Sequence, residues 1–175
     1  MLIAGTFETA NRYAEELNRV GASSRGYGVL KIRATCNEES LKHLNDEAFD
    51  IVIFTSKNAV RGLMSVAPQP LKQRISACEV YAIGESTKRE LEVYGLRGVK
   101  TPPRESSMGL LEELEAKGLQ GKTIGVFHST MVNKALIDGL RELGGKVCSF
   151  ALYEIEYDSE EALKLLQDIR RSPQA

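Results

Sequence analysis

The sequence predicts an α/β protein built on a mainly parallel sheet. Short apolar runs rich in β-branched and aromatic residues recur along the 175 residues. Between them lie longer stretches with apolar residues at helical spacing. The runs show little inside–outside alternation, which is how strands covered on both faces read. Strand and helix taking turns is the pattern of a parallel sheet flanked by helices.

The strand runs fall at residues 2–4, 29–32, 51–54, 80–83, 124–127 and 147–152. Helical patterns fill 9–20, 58–66, 87–94, 108–117 and 133–143, and a last one covers 160–171. In the first, Ala10, Tyr13, Ala14 and Leu17 share one face. Four helices end alike: Gly21, Gly95, Gly118 and Gly144 each stand four residues after a Leu. Glycine there accepts the left-handed cap that a Cβ would oppose. Two prolines make Thr101-Pro102-Pro103-Arg104-Glu105-Ser106-Ser107 a loop, with Ser106 or Ser107 capping the next helix. Ala67-Pro68-Gln69-Pro70 reads as another connection.

Two segments alternate strictly: Lys31-Ile32-Arg33, basic on its polar face, and Tyr153-Glu154-Ile155-Glu156-Tyr157, acidic on its own. They are either two unrelated edge strands or a pair whose opposite charges face each other.

Composition narrows the function. Apolar residues are 42% and charged residues 27%, with 23 basic against 24 acidic side chains. These are values of an ordinary globular protein. The near-neutral balance speaks against a dedicated nucleic-acid binder. No apolar run reaches the roughly 18 residues of a membrane span. The N-terminus turns polar and acidic after six residues, so no secretory leader is expected and the cytoplasm is the expected location. Cys36, Cys78 and Cys148 are odd in number and form no CxxC, so packed, inert thiols are expected. His43 and His128 lie far apart, and no HExxH occurs. No metal is expected, and His128 reads as a capping or surface group.

Ala116-Lys117-Gly118-Leu119-Gln120-Gly121-Lys122-Thr123 fits a relaxed phosphate-loop pattern. A helix precedes it and a strand follows, the inverse of the order that aims backbone amides at a phosphate. Three other junctions have the productive order. The strand at 51–54 runs into Thr55-Ser56-Lys57-Asn58, the strand at 80–83 into Gly84-Glu85-Ser86-Thr87, and the strand at 124–127 into His128-Ser129-Thr130. In a parallel sheet these loops share the carboxyl edge, where ligands bind. Helix N-termini there favour anions, and Lys57, Lys88 and Lys134 stand beside them. Each loop alone reads as a helix cap. Together the three point to a polyanionic ligand held by Thr55, Ser56, Lys57, Asn58, Gly84, Ser86, Thr87, Ser129 and Lys134.

Several of these segments resemble uroporphyrinogen-III synthases. Phe49-Asp50-Ile51-Val52-Ile53-Phe54-Thr55-Ser56-Lys57-Asn58-Ala59-Val60 is similar to the family's D-x-apolar-F-T-S-x-N-A-V segment. Val80-Tyr81-Ala82-Ile83-Gly84-Glu85-Ser86-Thr87 resembles its I-G-x-x-T segment, and Ser107-Met108-Gly109-Leu110-Leu111 its S-x-G-L-L. Gly121-Lys122-Thr123-Ile124, Gly144 and Leu152-Tyr153 follow in the family's order.

The resemblance implies a lyase-type enzyme of tetrapyrrole and heme biosynthesis. It closes linear hydroxymethylbilane into a macrocycle with inversion of the last pyrrole ring, and needs no cofactor. The eight carboxylates of this substrate suit the three anion-favouring loops. Tyr153 matches the family's tyrosine at the return crossover and becomes the candidate acid for the departing hydroxyl. The implied fold is a parallel-sheet, flavodoxin-like lobe at 34–151 and an incomplete second α/β lobe at 1–30 with 158–175. Strands at 29–33 and 152–157 would form a two-stranded connector. Ala4-Gly5-Thr6 stands where the family often has an Arg-Pro-containing turn, and only the helical stretch 160–171 follows the return crossover. The expectation is therefore little inverted product from these residues alone, with self-association through the incomplete lobe. The alternative is a non-enzymatic α/β module that binds a polyanionic small molecule.

Overall fold

Strands β3 (Ile51–Phe54) and β5 (Thr123–Ser129) are buried along almost their whole length. In the computed structural model, which describes residues 1–131 and 133–171, they pair in parallel with Ile51 beside Ile124 and Phe54 beside Phe127. Strand β4 (Glu79–Ala82) joins the free side of β3, and β6 (Lys146–Tyr157) joins β5, again in parallel. The local order is β6-β5-β3-β4. These strands, β6 as far as Glu154, belong to one of two compact units, 34–154; the other is 1–33 with the stretch from Ile155 onward. Among the described residues the chain has six strands and eight helices.

Side-chain parity divides the core of the 34–154 unit in two. Val52, Phe54, Val80, Ala82 and Phe127 meet Ala59, Val60 and Leu63 of α3 (Lys57–Met64) and Leu91 of α5 (Glu85–Val93). Ile51, Ile53, Tyr81, Ile124 and Val126 meet Leu110 and Leu114 of α6 (Ser107–Lys117) and Leu136 and Leu140 of α7 (Lys134–Glu142). Successive strand residues point to opposite faces, so two helical layers require strands without a polar row. Each fully buried aliphatic or aromatic side chain contributes roughly 1.5–3 kcal/mol. On the first face the Phe54 and Phe127 rings lie tilted at 4.7 Å, and Phe49 meets Phe127 edge-on at 6.5 Å.

Two further helices escape the sequence pattern. Helix α2 (Glu38–Asp46) presents only Leu41 and Leu44 to the core and is started by Asn37, whose side chain accepts from the Ser40 amide. Helix α4 (Gln69–Ala77) begins inside the segment read as a connection. Pro68 is its cap and Pro70 lies in its first turn. There the missing N–H has no intrahelical partner to lose. The four helix-ending glycines all adopt positive φ, between 77° and 92°.

In the other unit β1 (Leu2–Thr6) and β2 (Arg25–Ala34) pair in parallel across α1 (Phe7–Arg19). A Cβ at Gly26 would lie 2.6 Å from the Ala10 backbone, so only glycine lets α1 sit this close to β2. Helix α8 (Ser159–Arg171) returns Asp168 to Arg25 at 2.8 Å and to the buried Tyr27 hydroxyl. The two alternating segments continue β2 and β6. Lys31 meets Asp158 at 2.8 Å and Arg33 meets Glu156 at 2.7 Å. Asp158 N–H donates to Val29 O, and with Arg33 beside Glu156 the two segments run antiparallel.

Gly109 explains the S-x-G-L-L motif. A Cβ there would lie 2.2 Å from the Arg104 carbonyl oxygen of the proline loop. Gly109→Ala is expected to cost about 1–3 kcal/mol in urea unfolding, because the backbone itself must move. A loss under about 0.5 kcal/mol counts against this packing constraint.

Glu79, at the start of β4, takes hydrogen bonds from Lys100 at 2.6 Å, from Tyr81 at 3.0 Å and from Lys117. Burial opposes its ionisation, but these donors outweigh burial and hold the carboxyl down from 4.5 to about 2. A depressed folded-state pKa stabilises above the unfolded value and is lost as pH falls through the folded one. Glu79→Gln is therefore expected to destabilise by about 1–2 kcal/mol at neutral pH. The gap to the parent should close between about pH 4.5 and 2 in denaturant midpoints taken along a pH series. A gap that stays constant to pH 2 contradicts this pairing.

Candidate functional site

The parallel register brings the carboxyl ends of β3, β4 and β5 to one edge, beside Tyr153 of β6. Thr55 N–H donates to Phe127 O, Ile83 N–H to Phe54 O and Thr130 N–H to Tyr153 O, so the loops beyond stand side by side. The residues singled out in the sequence divide between the two faces of this edge.

On the face of α3 and α5, Ser56 is the N-cap of α3, accepting from the Ala59 amide at 3.1 Å. Its Oγ also lies 3.0 Å from the Tyr153 hydroxyl. A register shift brings Tyr153 there. Opposite β5, His128 pairs with Ala151 and Ser129 with Tyr153, leaving Leu152 as an extra residue. Plain alternation would send Leu152 and Tyr153 to opposite faces, yet both join the core of α3. Gly62 allows this approach: a Cβ on it would lie 3.0 Å from the Leu152 carbonyl oxygen. Arg61 of α3 grips Glu90 of α5 through two bonds of 2.9 and 3.0 Å, fixing the helices whose N-termini meet the edge.

Lys57 and Asn58 open α3 and are half-buried. Gly84 caps α5 with Ser86 exposed, whereas Thr87 is buried. The Glu105 carboxylate lies against Gly84, within 2.5 Å of where a Cβ would stand. It puts a negative charge of the chain's own near the positive end of α5.

On the face of α6 and α7 the edge opens into a cleft of about 310 Å³. Its polar groups are Thr55, His128, Ser106, Ser107 and Asn133. Val126, Leu136 and Ile137 form an apolar wall, with Ile83 and Met131 beside it. Thr55 Oγ1 donates to Phe127 O at 3.1 Å. Ser106 caps α6 by accepting from the Gly109 amide at 3.0 Å, and Asn133 caps α7. Asn133 Nδ2 donates to Ser107 Oγ at 2.9 Å and so ties the two N-termini together. Of the residues expected to bind, only Thr55 lines this cleft. Ser129 bonds the Met131 carbonyl at 3.1 Å, and Lys134 is exposed on the first turn of α7.

His128 departs from its reading as a capping or surface group. Strand β5 runs two residues past the end read from its apolar run, so His128 continues the row of Ile124 and Val126 and is 6% exposed. Its Nδ1 lies 2.5 Å from Ser129 O, and its Nε2 is buried with no hydrogen-bond partner among the described residues. The parity of Ile124, Val126 and His128 was the signal that could have placed it. Asn133, directly before a helical pattern, could have been read as a cap.

Cys36, Cys78 and Cys148 are half-buried, not enclosed, and burial pushes each thiol up. No group of three or more metal-ligating side chains occurs among the described residues, and no helix there is long and apolar enough to cross a membrane.

Together these features define an α/β chain with a cleft at the carboxyl edge of parallel strands. The family model HEM4, uroporphyrinogen-III synthase HemD, matches residues 11–173, and the chain belongs to this family. A uroporphyrinogen-III synthase of Chlorobaculum parvum is 23% identical over 97% of this chain and 69% of its own length. The crystal structure of a mutant uroporphyrinogen III synthase from the extremely thermophilic bacterium Thermus thermophilus superposes with a TM-score of 0.68 at 17% identity, covering 97% of this chain and 68% of that one. The Helicobacter pylori uroporphyrinogen-III synthetase gives 0.56 at 22% identity, over 83% and 62%. At these identities the two structures establish the shared fold.

The Ser56–Tyr153 contact is open to a double-mutant cycle. Ser56→Ala should cost about 0.5–2 kcal/mol through the lost cap. Its coupling to Tyr153→Phe should be about 0.5–1.5 kcal/mol in unfolding free energy. Additivity within about 0.3 kcal/mol means the hydroxyls do not bond.

Proposed function

We propose that this chain binds hydroxymethylbilane and directs its closure with inversion of the last ring. The observation that carries the reading is Tyr153, a buried tyrosine whose hydroxyl is held by the cap of α3 at the ligand-binding edge. Family membership supplies the substrate class.

The bilane closes without inversion when left alone. The protein's work is then largely geometric: to hold both ends of a flexible chain so that the substituted carbon is the one attacked. Departure of the terminal hydroxyl breaks a carbon–oxygen bond, and one proton turns the leaving group into water. Tyr153 is the proposed donor, and Ser56 orients it through their 3.0 Å contact. Thr55, Ser56, Lys57, Asn58, Gly84, Ser86, Thr87, Ser129 and Lys134 form the proposed binding edge. The positive N-terminal ends of α3, α6 and α7 favour the substrate's carboxylates.

The test is the isomer ratio of the porphyrinogen formed from hydroxymethylbilane, with and without protein. An excess of the inverted isomer over the protein-free control is expected, even a small one. Tyr153→Phe should reduce that excess at least roughly tenfold. Tight binding with only the spontaneous isomer would make the chain a binding module and overturn the proposal.

A further inference from the structure

We infer that Thr35 is a positioning residue for Tyr153: it holds the extra residue of β6 in place and so decides which face of the sheet the tyrosine serves. The inference rests on the role proposed above for Tyr153 and adds the group that aims it.

Parity sets the problem. From the Thr123–Lys146 pair to the His128–Ala151 pair, β5 and β6 keep one unbroken register. Continued unchanged, that register puts Leu152 beside Ser129. Tyr153 then falls in the row of Val147, on the face of α6 and α7. The Ser56 hydroxyl caps α3 on the other face. A shift of one position moves a side chain to the opposite face. The extra residue at Leu152 supplies that shift, so the direction of Tyr153 is set by the bulge.

A bulge disturbs the ladder, and its carbonyls need other donors. In a regular strand successive carbonyls point alternately to the two sides. Here the Tyr153 carbonyl turns toward β5, accepting from Thr130 N–H at 2.8 Å. The two before it, Ala151 and Leu152, both turn to Thr35. Thr35 N–H donates to Leu152 O at 3.0 Å, and its Oγ1 donates to Ala151 O at 3.0 Å. Two successive carbonyls held by one residue are a feature of the bulge, because the unbroken register offers that side only one of them.

The residue type fits the task. Threonine adds a hydroxyl donor close to its backbone N–H, so one residue meets two neighbouring carbonyls. Its β-branch restricts the rotamers from which the hydroxyl is aimed. Gly62 leaves Leu152 O the room, its absent Cβ being 3.0 Å away, and Thr35 supplies the bonds. Thr35 does not touch Tyr153 itself in this account; it acts through the backbone of residues 151 and 152.

The experiment compares Thr35→Val, which keeps the shape and the N–H but has no hydroxyl, with Thr35→Ser, which keeps both donors. The first readout is the ¹³Cζ resonance of Tyr153 in the full chain, and its displacement on Ser56→Ala. The parent and Thr35→Ser should show this displacement in full, whereas in Thr35→Val it should shrink at least about twofold. The second readout is inverted isomer formed from hydroxymethylbilane. Thr35→Val should lower kcat about three- to tenfold with KM held within about twofold, and Thr35→Ser should restore kcat. A full Ser56→Ala displacement in Thr35→Val, an equal loss in Thr35→Ser, or a change confined to KM overturns the assignment. Unfolding of Thr35→Val does so too, since it makes the residue a requirement of the fold. If the Tyr153 resonance depends on Thr35 while Tyr153→Phe forms as much inverted isomer as the parent, the catalytic reading fails and the positioning stands. If Tyr153→Phe is impaired and Thr35→Val leaves the resonance as in the parent, the positioning fails and the catalytic reading stands.

Discussion

Strands β3 and β5 have a helical layer on each face, and most features of the 34–154 unit follow from that constraint. A strand with no wet face has nowhere to put a polar side chain except at its ends. Along Ile51–Phe54 every residue is buried and apolar. The first polar residues after these runs are Thr55 and His128, at the carboxyl edge. The polar strand-end groups are thus confined to one edge by the same requirement that fills the core. The parallel direction of all four strands then collects them there.

Legibility in the sequence follows the strength of local physics. The apolar runs and helical periods gave the α/β class and the centres of most elements, because burial on two faces leaves an unambiguous pattern. The four glycine stops were legible because positive φ is a backbone demand with one chemical answer. Helices α2 and α4 were not, since each shows the core only two apolar contacts and α4 starts among prolines. Tertiary packing decides such helices more than propensity does.

The site was legible as an edge but not as two faces. Thr55 and Ser56 are adjacent, yet Thr55 faces the α6–α7 cleft and Ser56 faces Tyr153. Nothing local announces the register shift at Leu152 that turns Tyr153 toward α3. Whether a strand gains one residue depends on its neighbour, not on its own composition. His128 was missed for a related reason. Its polarity ended the apolar run, although the strand continued through Ser129.

Helix caps and candidate ligand groups compete for the same positions. A cap satisfies one first-turn amide with one side-chain oxygen, as Ser106 does for Gly109. The Ser107 and Met108 amides of that turn have no intrahelical carbonyl to bond. At α5 a glycine cap leaves no side-chain oxygen, and the Glu105 carboxylate rests against it. At α6 and α7 no acidic side chain of the described residues lines the cleft; Asn133 spends its oxygen on α7 and its amino group on Ser107. An anion therefore meets its own charge at α5 and meets donors at α6. The difference lies in one carboxylate, not in helix geometry. That is why equally plausible helix starts in the sequence have unequal claims on a ligand.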